Sequence, residues 1–308
     1  MQRLRLPATW TPVDTPDFED RFGCSPYESQ RKIAELMAGK EEEGLWIIES
    51  SMGTGKTESA LLGAEILASK FGLHGAVFAL PNRASANSVF TRFVDWMDSL
   101  PGETLTASAP VYLAHGKAQL NQAYTSLAER ETDSDGDATS RQRVANFFQN
   151  PKTYPLTPMM VSTVDHVIMA GLDSKHQMLR HLAFSGKVII IDEVHAYDAF
   201  MSTFLDHALE AFGAYRVPVI LLSATLPPAR RQALVEAYSR RTEAKDVQGD
   251  IGYPLVTYAS HDGNVETHAF ASPKPSITYQ VEHCENSLDD VMRAVRKTTS
   301  QGGNVLII

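Results

Sequence analysis

Leu45-Trp46-Ile47-Ile48-Glu49 runs directly into Ser50-Ser51-Met52-Gly53-Thr54-Gly55-Lys56-Thr57, and a helical pattern opens at Lys56. An apolar strand, a glycine-bearing loop and a helix start in immediate succession form a cradle for phosphate. The glycines let backbone N–H groups turn inward around an anion. The helix that follows presents the positive end of its dipole to the same place. In this arrangement Ser51, Met52, Gly53, Thr54 and Gly55 line the loop. Lys56 reaches the β- and γ-phosphates of a bound ATP, and Thr57 offers a hydroxyl to Mg²⁺. Ser50 stands where the simplest form of the pattern has its first glycine. The bland alternative, a chance glycine-rich turn, does not account for a Gly-Lys-Thr held between strand and helix.

Outward from this loop, short apolar runs alternate with amphipathic stretches. Strands are expected over Leu45–Glu49, Gly75–Leu80, Pro110–Ala114, Met159–Ser162, Lys187–Asp192 and Val217–Leu222. Helices are expected between them, over Lys56–Lys70, Asn82–Leu100, Thr163–Leu172, Phe200–Phe212 and Pro228–Arg240, with Gly213 ending the fourth. Continuously apolar runs such as Val188-Ile189-Ile190-Ile191 suit a parallel sheet covered on both faces. The fold class is therefore α/β, a doubly wound parallel sheet with helices on both faces. Residues 1–25, rich in Pro, Thr and Asp, read as a leader or linker. Glu129–Arg143 reads as an exposed loop, and 242–276 as the edge of a domain with weak strands. After Pro275 a new unit is expected: strand Ile277–Val281, helix Ser287–Thr299 and strand Asn304–Ile308.

Composition narrows the class. Of 308 residues, 43% are hydrophobic and 21% charged, which excludes a disordered or fibrous chain. No run approaches the roughly 18 apolar residues of a membrane span. Arg3 and Arg5 are followed by Pro7, Asp14, Asp17, Glu19 and Asp20 where a signal peptide needs an apolar core. Cys24 and Cys284 make neither a disulfide framework nor a metal spacing, so a cytoplasmic setting is expected. The net charge is 28 minus 37, or −9. Taken alone, it speaks against non-specific nucleic-acid binding, although it constrains the average surface and not a single groove.

Three further groups carry chemistry. Asp192-Glu193-Val194-His195 follows a buried apolar strand, where two adjacent carboxylates are costly without a cation. Asp192 is suited to hold Mg²⁺ through water, and Glu193 to deprotonate an attacking water. Ser223-Ala224-Thr225 closes another apolar strand; alone it would be a turn, but in third place it reads as a link between nucleotide state and a nucleic-acid groove. Gln30, which lies 26 residues before Lys56, can pair with the N6 and N7 of adenine. Pro81-Asn82-Arg83-Ala84 and Ser162-Thr163-Val164-Asp165 suit contact with a nucleic-acid backbone. Asn82 and Thr163 are equally good helix caps. His261-Asp262 lacks further spaced ligands and reads as a polar loop.

In order, Gln30, the phosphate loop, Leu80-Pro81-Asn82-Arg83-Ala84-Ser85-Ala86-Asn87, Leu113-Ala114-His115-Gly116, Val161-Ser162-Thr163-Val164-Asp165-His166, Asp192-Glu193-Val194-His195-Ala196-Tyr197-Asp198 and Ser223-Ala224-Thr225 resemble the first-domain motifs of superfamily 2 DExH helicases. The tail Ala196-Tyr197-Asp198 narrows the resemblance to the CRISPR-associated helicase-nuclease of type I systems, the subtype recruited by Cascade. The resemblance implies two RecA-like domains: 23–272 as the first, ATP-binding one, after a leader at 1–22, and 273–308 as the truncated start of the second. It implies an ATP-driven translocase on single-stranded DNA, recruited by a surveillance complex with guide RNA. An HD nuclease domain is implied in cis or as a separate chain, and no membrane partner. His195, Ser223 and Thr225 would couple the nucleotide to the DNA groove, with Pro81, Asn82, Arg83, Thr163 and Asp165 along it. With the second lobe's arginines missing, this stretch is expected to hydrolyse ATP feebly. The alternatives are another DExH RNA or DNA motor, and a passive nucleotide-dependent docking module.

Overall fold

Alternation along the strands assigns every core side chain to one of two faces. In β1 (Gly44–Glu49), Trp46 and Ile48 enter one apolar cluster while Leu45 and Ile47 enter another. The same split runs through β2 (Ala76–Leu80), β5 (Val188–Ile191) and β6 (Val219–Ser223): Phe78, Ile190 and Ile220 face one way, Val77, Ile189 and Leu221 the other. A sheet with both faces apolar must be covered on both. Helices α2 (Glu28–Ala38), α3 (Lys56–Phe71) and α4 (Arg83–Asp98) cover the first face. Helices α6 (Gln177–Ser185), α7 (Ala199–Ala214) and α8 (Pro228–Ser239) cover the second, together with the short α5 (Asp165–Ile168).

The computed structural model describes residues 10–101, 111–114, 154–172, 177–241, 252–272 and 287–300. Among these, eight strands form one sheet in the order β3-β4-β2-β5-β6-β1-β7-β8, with β3 at Val111–Ala114, β4 at Met159–Thr163, β7 at Leu255–Ser260 and β8 at Val265–Ala269. The six strands from β3 to β1 run parallel, as expected for a doubly wound fold. The sheet is not parallel throughout: β7 pairs antiparallel with β1, and β8 antiparallel with β7. The weak edge read over 242–276 thus contains a fully buried strand beside β1.

Other expectations are corrected. Residues 10–22 are not a loose leader. Trp10 is fully buried against Trp96, and α1 (Phe18–Phe22) packs on α3 through Phe18 and a buried bidentate pair from Arg21 to Glu65 at 2.8 and 2.9 Å. The single helix expected over Thr163–Leu172 is only α5 followed by a 3₁₀ turn, Met169–Gly171. Thr163 ends β4 and caps nothing, whereas Asn82 caps α4 by accepting the Ser85 N–H at 2.9 Å. Gly213 lies inside α7, not after it. A side chain there would run into the Tyr238 carbonyl of α8, so close helix approach, and not helix termination, requires the glycine.

The chain divides into two units, Met1–Pro273 and Lys274–Ile308. In the second, α9 (Leu288–Thr298) carries Asp289 and Asp290 in its first turn and Arg296 and Lys297 in its last, which complements the helix dipole. The loop at 129–143 and the strands expected at 277–281 and 304–308 lie outside the described residues.

Glu65 is fully buried, so removing its partner strands a charge in apolar surroundings. Arg21→Ala should cost about 3–5 kcal/mol in urea unfolding, and Arg21→Ala with Glu65→Leu should recover much of it. Equal stability of Arg21→Ala and the unaltered chain would show that α1 is dispensable.

Candidate nucleotide site at the strand tips

Parallel pairing brings the motifs together. Glu49 of β1 is level with Ser223 of β6, Ile191 of β5 with Leu221 of β6, and Leu80 of β2 with Thr163 of β4. The segments leaving these strands therefore emerge on one edge, the carboxyl edge where ligands of open α/β sheets bind. The phosphate loop, Asp192-Glu193, Ser223-Ala224-Thr225, Pro81-Asn82-Arg83 and Val164-Asp165 all leave from it.

The loop holds its shape through its own polar atoms. Gly53 and Gly55 adopt left-handed backbone, φ 70° and 77°. The Ser50 hydroxyl lies 2.8 Å from that of Thr54, whose oxygen also donates to the Ser51 carbonyl at 2.7 Å. Ser50 N–H donates to the Ser223 carbonyl at 3.2 Å. Serine in place of the first glycine thus staples the loop internally and sits in register with the third motif. Lys56 Nζ donates to the Ser50 and Ser51 carbonyls at 2.5 and 3.1 Å. Thr57 is buried on the first turn of α3, while Met52 is exposed at the loop's crest.

Gln30 is buried against the loop. Its side-chain oxygen accepts the Tyr27 N–H at 2.8 Å, and its amide nitrogen donates to the Gly55 carbonyl at 3.0 Å. The side chain braces α2 to the phosphate loop, with one proton and one lone pair left on the amide for a further partner.

Asp192 and Glu193 occupy different environments although adjacent. Burial pushes Asp192 up to about 6; the N–H of Glu193, donated to Asp192 Oδ1 at 2.8 Å, opposes the rise, and the Glu193 charge adds to it. Lys56 and Arg92 act through space to lower it. Glu193 takes left-handed backbone, φ 55°, rare for a residue with a side chain and typical of functional turns. Its Oε2 is buried without a hydrogen-bond partner. His195 Nε2 lies 3.2 Å from that oxygen, at ion-pair distance but not aligned for a hydrogen bond. On the other side of the ring, Nδ1 accepts the Ala224 N–H at 3.3 Å and lies 3.3 Å from the Ser223 hydroxyl. An N–H aimed at Nδ1 places the ring proton on Nε2, facing Glu193. Glu193, His195 and Ser223-Ala224 therefore form one continuous chain of polar contacts.

The residues fit a metal-bound nucleotide. An orphaned carboxylate oxygen, a raised carboxyl group and a threonine hydroxyl share the strand tips with a lysine whose donors now rest on carbonyls. Thr57 and Asp192 could hold Mg²⁺, and Lys56 with the loop N–H groups could hold the phosphates.

Several expected residues stand apart from that cluster. Asn82, Arg83, Asp165 and Thr225 are exposed on the same edge, and Pro81 is partly so. His261 and Asp262 follow Ser260, which pairs with Gly44 at the opposite end of β1, with His261 Nε2 3.3 Å from Asp262 Oδ1. Sequence reading missed Arg92, whose Nη1 is 3.4 Å from the Thr57 hydroxyl and whose Nη2 pairs with Glu58. It also missed Glu49 and Arg231, paired under the loop. No local spacing marks either arginine.

Because the folded chain raises the Asp192 pKa above its unfolded value, the ionised carboxylate costs stability above pH 6. The cost fades as pH falls from 6 and is lost below the unfolded value of 3.8, where the folded and unfolded forms are both protonated. Asp192→Asn should therefore stabilise the nucleotide-free chain at pH 7.5 by on the order of 1–2 kcal/mol, with no gain at pH 3.5. A gain equal at both pH values would remove burial as its cause.

The chain matches the DEAD/DEAH box helicase family over residues 27–234. It is 38% identical over 299 residues to the CRISPR-associated nuclease/helicase Cas3 of Streptococcus thermophilus, covering 94% of this chain and 32% of that protein. It superposes on T. fusca Cas3-ATP with a TM-score of 0.76 and 28% identity, over 96% of this chain and 33% of that one. A chain of a CRISPR RNA-guided surveillance complex, pre-nicking, matches at a TM-score of 0.58 and 26% identity, over 89% and 29% respectively. The chain spans about a third of the length of the relatives it matches. Its fold, its motifs in order and the family match agree: the chain belongs to the DEAD/DEAH box helicases and resembles the helicase portion of Cas3.

Proposed function

We propose that this chain is an ATP-hydrolysing lobe of a CRISPR interference motor that moves on single-stranded DNA. The observation that carries the reading is the contact chain from Glu193 through His195 to Ser223 and Ala224, beside the phosphate loop. A site that only held nucleotide would need the loop, but not a polar link from its base to a third strand end.

In this reading ATP with Mg²⁺ supplies the phosphoryl group and a divalent charge to neutralise it. Lys56 and the loop N–H groups bind and orient the phosphates. Asp192 and Thr57 hold the cation, and Gln30 reads adenine. Glu193 accepts the proton of an attacking water at its Oε2. His195 transmits the state of Glu193 to the Ser223–Thr225 loop. Asn82 and Arg83, with Pro81, track the DNA backbone along the same edge, while Thr163 is buried at the end of β4 and shapes that edge from within, next to the exposed Asp165.

Likeness to Cas3 and to the surveillance-complex chain supports Cascade with its guide RNA as the recruiting partner, and an HD nuclease domain in cis or as a separate chain. The acidic balance, −9, speaks against a broadly basic DNA-binding surface, so DNA contact in this reading is confined to a local groove.

Two substitutions test the site. Lys56→Ala should abolish most ATP binding by calorimetry, because the phosphates lose their only lysine in the loop. Unchanged affinity would sink the phosphate-loop assignment. Glu193→Gln should keep ATP affinity within a few-fold yet slow hydrolysis by about 10²–10⁴-fold, since an amide cannot take the proton. Hydrolysis close to the unaltered rate would remove Glu193 as the base.

A further inference from the structure

Among the described residues, Arg92 joins Lys56 in acting on Asp192 through space, and the proposed chemistry does not use it. It sits on the third turn of α4 and reaches across to the first turn of α3. Its two terminal nitrogens divide their contacts: Nη1 is 3.4 Å from Thr57 Oγ1, and Nη2 pairs with Glu58 Oε1. Thr57 Oγ1 is the oxygen the nucleotide reading gives to Mg²⁺. A guanidinium donating to that oxygen competes with a divalent cation for the same lone pairs, and at 3.4 Å the contact is long enough to be given up. Cation arrival therefore favours release of Nη1 from Thr57. The pair with Glu58 is about half exposed on the arginine side, so it holds the guanidinium only weakly and can rearrange.

The other end of α4 makes this consequential. The helix runs without a break from Arg83 to Asp98, and Phe90, Phe93 and Trp96 bury its inner face. Its N-cap is Asn82, at the loop proposed to follow the DNA backbone. A change at Arg92 thus acts on a rigid helix whose first residues are the DNA contacts. The contact is also separate from the Glu193–His195–Ser223 chain, which leaves by another strand.

We propose that Arg92 is a positioning residue that couples the metal–nucleotide end of the site to DNA binding at Asn82–Arg83, by exchanging its contact with Thr57 as the cation binds. The proposal rests on the nucleotide and DNA reading given above. Coupling between two ligands is reciprocal, so either affinity measured with and without the other reports it.

The test uses the whole chain, a fluorescent non-hydrolysable ATP analogue with Mg²⁺, and an oligothymidine single strand. In the unaltered chain each ligand should change the other's affinity by roughly five- to tenfold. Arg92→Ala should leave each separate affinity within about threefold, while the coupling falls to within about twofold of none. Arg92→Lys, which keeps the charge but loses the two-armed fork, should keep an intermediate coupling, and it carries the test should the alanine variant misfold. Glu58→Gln should weaken coupling in the same direction. Full coupling in Arg92→Ala, or none in the unaltered chain, overturns the proposal. Lys56→Ala separates the two levels: if it leaves analogue affinity intact, the nucleotide reading fails and not Arg92's part alone.

Discussion

Glu49 is the last residue of β1, and its carboxylate is buried where the phosphate loop begins. A charge in that position is tolerable only if its partners are complete. Arg231 of α8 supplies two donors, Nε at 2.6 Å and Nη2 at 3.1 Å, and the Leu226 N–H supplies a third at 3.0 Å. Leu226 directly follows Ser223-Ala224-Thr225. One carboxylate therefore fixes the origin of the phosphate loop, the course of the chain after the third motif and the seating of α8. Were it unpaired, the loop and the Ser223 segment would lose their common reference, and with it the level at which Ser50 N–H meets the Ser223 carbonyl.

From that anchored edge the polar groups of the site become intelligible as neighbours. The backbone turns sharply at Glu193, into a conformation that is disfavoured for a side-chain-bearing residue. The strain is held by contacts on both sides: Asp192 Oδ1 takes the Glu193 N–H, and the Tyr197 hydroxyl donates to the Asp192 carbonyl at 2.9 Å. Asp198 then caps α7 by accepting the Met201 N–H at 2.8 Å. The Ala196-Tyr197-Asp198 tail, which narrowed the family in the sequence, is thus a local brace and helix start. Its chemistry includes support for the carboxylates.

What was legible in the sequence and what was not divides by distance along the chain. The loop, the carboxylate pair and the Asn82 cap are each encoded within a few residues, and the apolar runs between them specify the parallel strands. Arg21 and Glu65 are 44 residues apart, and Glu49 and Arg231 are 182 apart; no periodicity signals such pairs. The antiparallel addition was obscured for a different reason. β8 reads Val-Glu-Thr-His-Ala with only Val265 buried, so its pattern is that of a solvated edge, and β7 is recognisable as a core strand only once β1 lies beside it. Gly213 misled because glycine ends helices and also permits close helix packing, and only the position of Tyr238 distinguishes the two.

Several charges at the strand tips have close partners. Lys56 rests on two loop carbonyls, Arg92 on Glu58, His195 beside Glu193, and Glu49 on Arg231. Asp192 accepts a backbone N–H and feels Lys56 and Arg92 through space, but burial outweighs all three and pushes its pKa up to about 6. A fold selected for stability alone would place an amide or an apolar side chain there, since neither pays for desolvating a carboxylate. Asp192 is also the group to which the proposed chemistry gives a divalent cation. Binding that cation would remove the cost of the buried charge and, through Thr57, displace Arg92. A single electrostatic event at Asp192 and Thr57 can thus be felt along two routes, β5 through His195 and α4 through Arg92, and neither route requires the sheet itself to deform.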